Sequence, residues 1–396
     1  MVLLAAGKQM TWGLIARNDC SGLGIQTYEM YAHLHPDKIL EIDVSDLYNK
    51  ADNCNKRRVF TYPDAQVIKG WHPTTGQINE FLDGLDVVYS AETFYTWDLV
   101  RSARERGIRT LLHVNPEFCD HIQNTNLPRP DLFCAPGPWL WDQLPEPKIL
   151  LPVPVATERF QKVAPEQARG QPQSSQALAH RNQPTAPYGN HSHATAFLHV
   201  AGRPAVKDRG GTTDVLRALP HVKSEITITF RCLLPGYIDQ LVRATQVRLP
   251  ANVEMVVEEN DVDCYEELYE GQDVLVAPRR FAGLSLPCQE AMAAGMPVIF
   301  GAHDVYAQAH ARRTWAVPSR KVDRLLTRVW IDVFEVDPRM LTAKIDEFAT
   351  DATLFVDGQA AARDWAHRHS WDSLKPRYVE LLEGVEVGND SVHGDQ

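Results

Sequence analysis

The sequence predicts an α/β protein of two doubly wound, Rossmann-like parallel sheets facing across a cleft. Short apolar runs alternate with amphipathic stretches almost from the first residues, the pattern left by strands that helices cover on both faces. The alternation stops at 163–195 and then resumes, so it describes two sheets rather than one. A chain of 396 residues, 44% hydrophobic and 23% charged, has the length for two or three domains at roughly 150 residues each.

WGLIAR (12–17) reads as the first strand, NDCSGLG as a turn and GIQTYEMYAHL (24–34) as the first helix. KILEIDV (38–44), RRVFTY (57–62), DVVYSA (86–91), RTLLHVN (109–115), LFCAP (132–136) and KILLPVPV (148–155) follow as strands. GQINEFLDGL, TWDLVRSARERG and PWLWDQL are the helices between them. Residues 163–195 then hold five Gln and four Pro, with Val163 and Leu178 as their only aliphatics, too little apolar surface to fold; the segment reads as a flexible insert. Strands resume with AFLHVAG (196–202), EITITFRC (225–232), VEMVVEE (253–259), DVLVAP (273–278) and MPVIFG (296–301). GTTDVLRAL, PGYIDQLVRATQV, CYEELYEG and LPCQEAMAAG are the intervening helices, and helical stretches 337–350 and 359–383 complete the pattern.

Forty Lys+Arg against 51 Asp+Glu leave a net charge of -11, which argues against a protein that coats nucleic acid through a broad basic surface. Seven widely spread cysteines without a C-x-x-C pair read as reduced cytosolic thiols. No apolar stretch approaches the ~20 residues of a membrane helix. The VLLAA run near the start is too short and lacks the basic leader of a secretory signal, so a cytoplasmic protein without integral membrane association is expected.

In doubly wound sheets ligands sit at the carboxyl ends of strands, beside helix N-termini. After the strand 196–202 comes HVAGRPAVKDRGG, where Gly202 lets a ligand approach the backbone and Arg203 and Lys207 place two cations before a helix. In DVLVAPRRFAGLSLPCQEAMAAGMPVIFG (273–301), a buried strand runs into a loop of Gly283, Leu284 and Ser285 that opens a helix bearing Glu290. Such a loop offers backbone N–H groups to a phosphate, and a carboxylate about one turn further in can accept from vicinal hydroxyls.

GRPAVK and GLSLPCQEAMAAGMPVI together resemble glycosyltransferase family 4, retaining enzymes of the GT-B fold that use nucleotide-sugar donors. LPVPVATERF (151–160) is similar to the segment closing the family's first domain, and HSWDSLKPRYVELLEG (369–384) to its final helix, which crosses back. The resemblance implies a first, acceptor domain over 1–160 joined by the returning helix 366–385, an insert over 161–195, a donor domain over 196–365 and a disordered tail over 386–396. It implies that Arg203 and Lys207 hold the donor diphosphate, that Glu290 binds the ribose hydroxyls, that Gly202 and Gly283 to Ser285 lie against phosphate and sugar, and that 257–264 frames the base. Two positions depart from it. Ala282 stands where the family has an acidic residue, and Asp208 where it has glycine.

On the acceptor side, Gly22, Leu23 and Gly24 in DCSGLGIQT form a loop whose amides face the donor phosphate or acceptor. Two further strand ends, carrying Glu92 and the group His113, Asn115 and Glu117, point polar side chains at the same cleft as sugar or acceptor contacts. Arg279 and Arg280 either face an anionic donor sugar or form an exposed loop pair, the second being the preferred reading. Asp261-Val262-Asp263, His33 with His35, and His191 with His193 read as no metal site, the histidines lacking carboxylate or thiol company. The resemblance implies sugar transfer from a nucleotide-diphosphate sugar to a hydroxyl acceptor, with retention and with neither metal nor cofactor. The acceptor is open among modified nucleic acid, protein, lipid and small molecule. A sugar-nucleotide epimerase and a non-catalytic sugar-nucleotide-binding protein are the alternatives.

Overall fold

The computed structural model describes residues 10–19, 21–45, 59–160, 193–202, 208–259, 262, 265–281, 283–304 and 312–384. The first sheet contains β1 (Trp12–Arg17), β2 (Lys38–Asp43), β3 (Gln66–Lys69), β4 (Val87–Ala91), β5 (Arg109–His113), β6 (Leu132–Ala135) and β7 (Lys148–Leu150). They lie in the order β3-β2-β1-β4-β5-β6-β7, every pairing parallel. The second contains β8 (Ala196–Gly202), β9 (Ile226–Cys232), β10 (Val253–Glu258), β11 (Val274–Ala277), β12 (Val298–Gly301) and β13 (Ala316–Val317), in the order β10-β9-β8-β11-β12-β13, again parallel throughout. Both are doubly wound, as the alternation predicts. Each reverses direction once, between β1 and β4 and between β8 and β11, and these switch points are where such sheets bind ligands.

Six helices fill the crossovers: α1 (Gly22–Leu34), α2 (Thr75–Leu82), α3 (Trp97–Glu105), α4 (Thr212–Ala218), α5 (Tyr237–Thr245) and α6 (Leu286–Ala293). Three more follow, α7 (Pro338–Thr350), α8 (Ala352–Arg368) and α9 (Trp371–Leu382). Their starts are written locally. Thr74 and Gln77 form a reciprocal capping box at α2, and Asp337 caps α7 with Pro338 at its first position. The stretch 359–383 is two helices rather than one, because Ser370 turns its hydroxyl to the Ser373 amide and starts α9 afresh. At that break the chain crosses between the sheets: Val155 donates its amide to His369 O, and α9 lays Trp371, Tyr378 and Leu381 against Trp12, Leu14 and Leu111 of the first sheet. Buried aromatic and aliphatic side chains of α7 and α8, among them Phe348 and Trp365, close the core of the second sheet.

Four local expectations are corrected. Residues 59–62 form no strand (57 and 58 lie outside the described residues); the edge strand is β3, whose four residues QVIK are too short for the pattern to register. PWLWDQL contributes a single turn, Trp141–Gln143, and CYEELYEG one short tight helix, Tyr265–Tyr269, with Cys264 outside the described residues. KILLPVPV is extended only to Leu150, since its prolines remove ladder donors. An antiparallel hairpin of β14 (Ser319–Leu326) and β15 (Trp330–Val336) stands outside both sheets. Of the insert 161–195, residues 161–192 lie outside the described residues, as does the tail 386–396. The last insert residues are ordered on the second sheet, Ala194 wholly buried with its amide on Phe348 O and the Thr195 amide on Asp273, so the insert ends before them.

The hairpin spans the two halves of the molecule. Val329, Ile331 and Val333 pack with Phe281 of the second sheet's loop and with Ile122, Trp139 and Leu140 of the first half. Its turn donates the Thr327 hydroxyl (2.6 Å) and the Arg328 amide (3.3 Å) to Glu117 O, while Arg328 Nη1 pairs with Asp120 at 2.7 Å. Among the described residues no helix is long and apolar enough to cross a membrane.

Candidate functional site

Between the carboxyl ends of the two sheets lies an open cleft of about 290 Å³, lined from both switch points. The loop after β1 is folded by its own side chains. Asp19 takes Arg17 Nε at 2.7 Å and the Ser21 amide at 3.0 Å, and Ser21 in turn caps α1. A Cβ on Gly24 would lie 1.9 Å from Asp19 O, so close packing inside the loop requires glycine there. Gly22 and Leu23 line the cleft, whereas Gly24 serves this turn and donates its amide to Ser21 Oγ. Gly22 also lets α1 approach α6: a Cβ at this position would sit 3.1 Å from Leu286.

From β4 and β5 the cleft receives Glu92, Asn115 and Glu117, but not His113. Glu92 follows β4 in the left-handed region (φ 64) and accepts from Asn115 Nδ2 at 2.9 Å. Glu117 is 2% exposed, with Oε1 held by Arg209 Nη2 at 3.0 Å across the cleft. Its Oε2 is buried without a hydrogen-bond partner. Burial pushes this carboxyl above the usual range, with Arg209 and then Arg279 opposing and Glu92 reinforcing the shift. His113 belongs to the opposite face of β5. It meets the Tyr89 hydroxyl at 2.5 Å beneath Tyr378 of α9, and burial pushes it down to about 3, so it is a neutral core histidine. The strand period of two places alternate residues on opposite faces, and His113 falls on the covered one.

The second sheet supplies the cationic wall. Pairing between β8 and β11 ends at Leu198 and Leu275, so the strand ends beyond separate. Buried His199 spans the gap: Nδ1 donates to Val276 O (2.7 Å), which leaves Nε2 to accept from the Thr212 hydroxyl (3.0 Å). Gly202 lines the cleft with φ 56. Arg203, Lys207 and Ala282 lie outside the described residues, as do Asp261 and Asp263. Asp208 accepts the first amides of α4, from Thr212 at 3.1 Å and Thr213 at 2.8 Å, so the chain caps this helix end itself.

Arg279 and Arg280 are not an exposed pair. Arg280 points away from the cleft into Asp214 (3.1 Å) and Glu335 (3.2 Å). Arg279, 8% exposed, lines the cleft, donates to Gly283 O at 2.8 Å and lies 3.6 Å from the wholly buried Asp304. Arg209 stacks its guanidinium on Phe281 at 4.9 Å. Gly283 lies against both arginines: a Cβ there would come within 2.3 Å of Arg209 Nη2, 2.7 Å of Glu117 Oε1 and 3.2 Å of Arg279 Nη2. Leu284 and Ser285 continue along the cleft into α6, whose cap residue Ser285 makes no capping side-chain bond. Arg209 and Arg279 were present in the quoted motifs, but only their convergence on Gly283 distinguishes them from surface cations.

Glu290 is buried one layer below, in a small adjoining pocket with Ile25, Glu29, Val155 and Trp371. Tyr269 donates its hydroxyl to Oε2 at 2.5 Å, and burial, partly offset by that bond, pushes the carboxyl up to about 7. It does not line the main cleft, though Gln26 and Leu286 border both spaces. His33 does have carboxylate company, with Nε2 3.3 Å from Glu29 and 3.4 Å from Glu158. The three groups bring one ligand atom each within 4.8 Å, but Arg159 pairs with the same Glu29 at 2.5 Å, and a guanidinium there opposes a cation. Four described cysteines (Cys119, Cys134, Cys232 and Cys288) are buried and unbridged.

Residues 197–330, most of the second sheet together with β14, match the family model described as Glycosyl transferases group 1. No curated protein matches the chain. Among solved structures, the chain is similar to a glycosyltransferase from Rickettsia africae (TM-score 0.61, 12% identity, covering 96% of this chain and 99% of the other). It is also similar to Anabaena HepE in complex with UDP and glucose (0.62, 10%, 95% and 100%) and to sucrose-phosphate synthase from Thermosynechococcus elongatus (0.61, 14%, 95% and 99%). The architecture is GT-B.

Proposed function

We propose that this protein is a retaining, family-4-like glycosyltransferase that moves a sugar from a nucleotide-diphosphate donor to a hydroxyl acceptor. The observation that carries the reading is the convergence of Arg209, Arg279 and the uncapped start of α6 on one cleft between two switch points. HepE, whose solved complex holds UDP and glucose, has the same fold and supports the choice of donor class.

Cleaving a sugar–phosphate bond builds negative charge on the departing diphosphate. The amides of Leu284 and Ser285 and the two guanidinium groups are preorganised for that charge, and Arg203 and Lys207 are assigned to the same diphosphate. Such a set stabilises the leaving group without a metal. Glu92, Asn115 and Glu117 face it from the other sheet, where sugar and acceptor hydroxyls would be held. Retention follows when the acceptor attacks from the face the diphosphate leaves, its proton passing to the leaving phosphate oxygen. Glu290 is assigned to ribose hydroxyls, through the smaller pocket, and the protein to the cytoplasm.

A thermal-shift screen over UDP-, GDP-, ADP- and dTDP-sugars identifies the donor, because a ligand bound only by the folded state raises the melting temperature. Nucleoside diphosphate must then appear only when a hydroxyl acceptor is supplied. Conversion of donor without acceptor would make the protein an epimerase, and binding without turnover a sensor.

A further inference from the structure

We propose that Arg209 serves two anions in turn, Glu117 across the cleft and the diphosphate of an incoming nucleotide. The inference rests on the nucleotide-sugar reading and goes beyond it, because it makes donor and acceptor halves of the site compete for one guanidinium.

Three observations converge. Arg209 lies on the turn between Gly202 and α4, inside the phosphate-facing wall, with its side chain 29% exposed and therefore reachable from the cleft. Its stacking on Phe281 holds the guanidinium plane while leaving its donors able to change partner. Arg279 lies beside it, and the two like charges repel unless anions stand near: Glu117 holds Arg209, and Asp304 lies behind Arg279. Glu117 supplies one negative charge; a diphosphate supplies more and can also lie along the Gly283–Ser285 turn that lines the cleft. Glu117 is also half-satisfied, with one oxygen on Arg209 and the other buried and unpartnered, so its pairing is the weaker claim on the cation.

When Arg209 moves to the diphosphate, Glu117 loses its main stabilising charge. The groups still facing it are Arg279 from the loop after β11 and Glu92 from the end of β4, with the Arg328–Asp120 pair beside its own turn and Asp304 behind Arg279. A buried carboxylate so placed takes a proton from solvent, and Glu117 then offers a hydroxyl to the sugar or acceptor instead of a charge. Donor arrival thus prepares the acceptor side.

The test is titration calorimetry of the full chain with UDP, GDP, ADP and dTDP, each alone, in buffers of differing ionisation enthalpy. The expected result is proton uptake on binding by the native chain. Glu117→Gln should abolish the uptake and tighten nucleotide binding, roughly threefold to tenfold, since an ion pair of about 1 kcal/mol no longer competes. Arg209→Gln, which has no charge to exchange, should bind at least about tenfold more weakly and without uptake. Uptake that persists in Glu117→Gln, or weaker binding by that variant, overturns the exchange while leaving the glycosyltransferase reading intact. Failure of all four nucleotides to bind the native chain overturns both.

Discussion

Two strand-to-helix turns of the second sheet reach the cleft, and they treat their helix ends in opposite ways. After β8, Asp208 occupies the first amides of α4 with its own carboxylate, and the Tyr237 hydroxyl donates to the same group at 3.2 Å. After β11, Ser285 takes a left-handed conformation (φ 37) and turns its hydroxyl toward Cys288 Sγ, so no side chain caps α6. A helix start binds an anion only if the chain does not supply one first. The fold brings two helix starts to the cleft; one carboxylate closes α4, and the proposed phosphate end is therefore α6.

The largest effect is expected from stripping the open turn of its buried cation. Arg279→Ala removes the guanidinium 3.6 Å from buried Asp304 and the donor to Gly283 O, a loss of about 3–5 kcal/mol in denaturant unfolding. A variant as stable as the native chain would show that Arg279 does not organise this turn.

Next comes the carboxylate that α6 carries in its second turn. The folded protein holds the Glu290 proton up to about pH 7, against a free value of 4.5, so it binds this proton more tightly than the unfolded chain does. The resulting stability is fully present below about pH 4.5 and is lost as pH rises through 7, a fall of about 3 kcal/mol over that window. Glu290→Gln should flatten this part of the pH–stability profile, and an unchanged slope would refute the shift.

Gly283→Ala probes the same turn sterically. The added Cβ must displace Arg209 or Glu117, and nucleotide-induced stabilisation should fall by an amount equal to roughly tenfold in affinity. If the thermal shift is retained, the arginines do not need this approach.

The smallest effect belongs to the closed turn. Asp208→Ala uncaps α4 and should cost about 1 kcal/mol of stability, while removal of a negative charge next to Arg209 in the chain raises nucleotide affinity a few-fold. Weaker nucleotide binding in that variant would mean that the two helix ends do not differ as described.

Local pattern carried much of this. The strands WGLIAR, AFLHVAG and DVLVAP are buried apolar runs of the length that a parallel sheet needs, and the loop containing Gly283, Leu284 and Ser285 marks its helix start by sequence alone. β14 has no strand signature because it is exposed along nearly its whole length and carries Arg320, Lys321 and Arg324, so it lacks the buried apolar run of the two sheets. His113 was misplaced because an end-of-strand histidine fits either a cleft or a core until α9 covers one face. Arg209 has no signature in the sequence, since no spacing distinguishes a cation that meets a carboxylate 92 residues away.

Periodicity and turn chemistry act between residues a few positions apart, and they are enough to specify two doubly wound sheets and the turns that follow their strands. Tertiary structure alone decided that Glu117 meets Arg209, that Arg279 faces the cleft while Arg280 turns away, and that Glu290 lies beneath the site against Tyr269. Those outcomes depend on how one sheet is set against the other and on which charges burial forces together, and neither leaves a periodic trace in the chain.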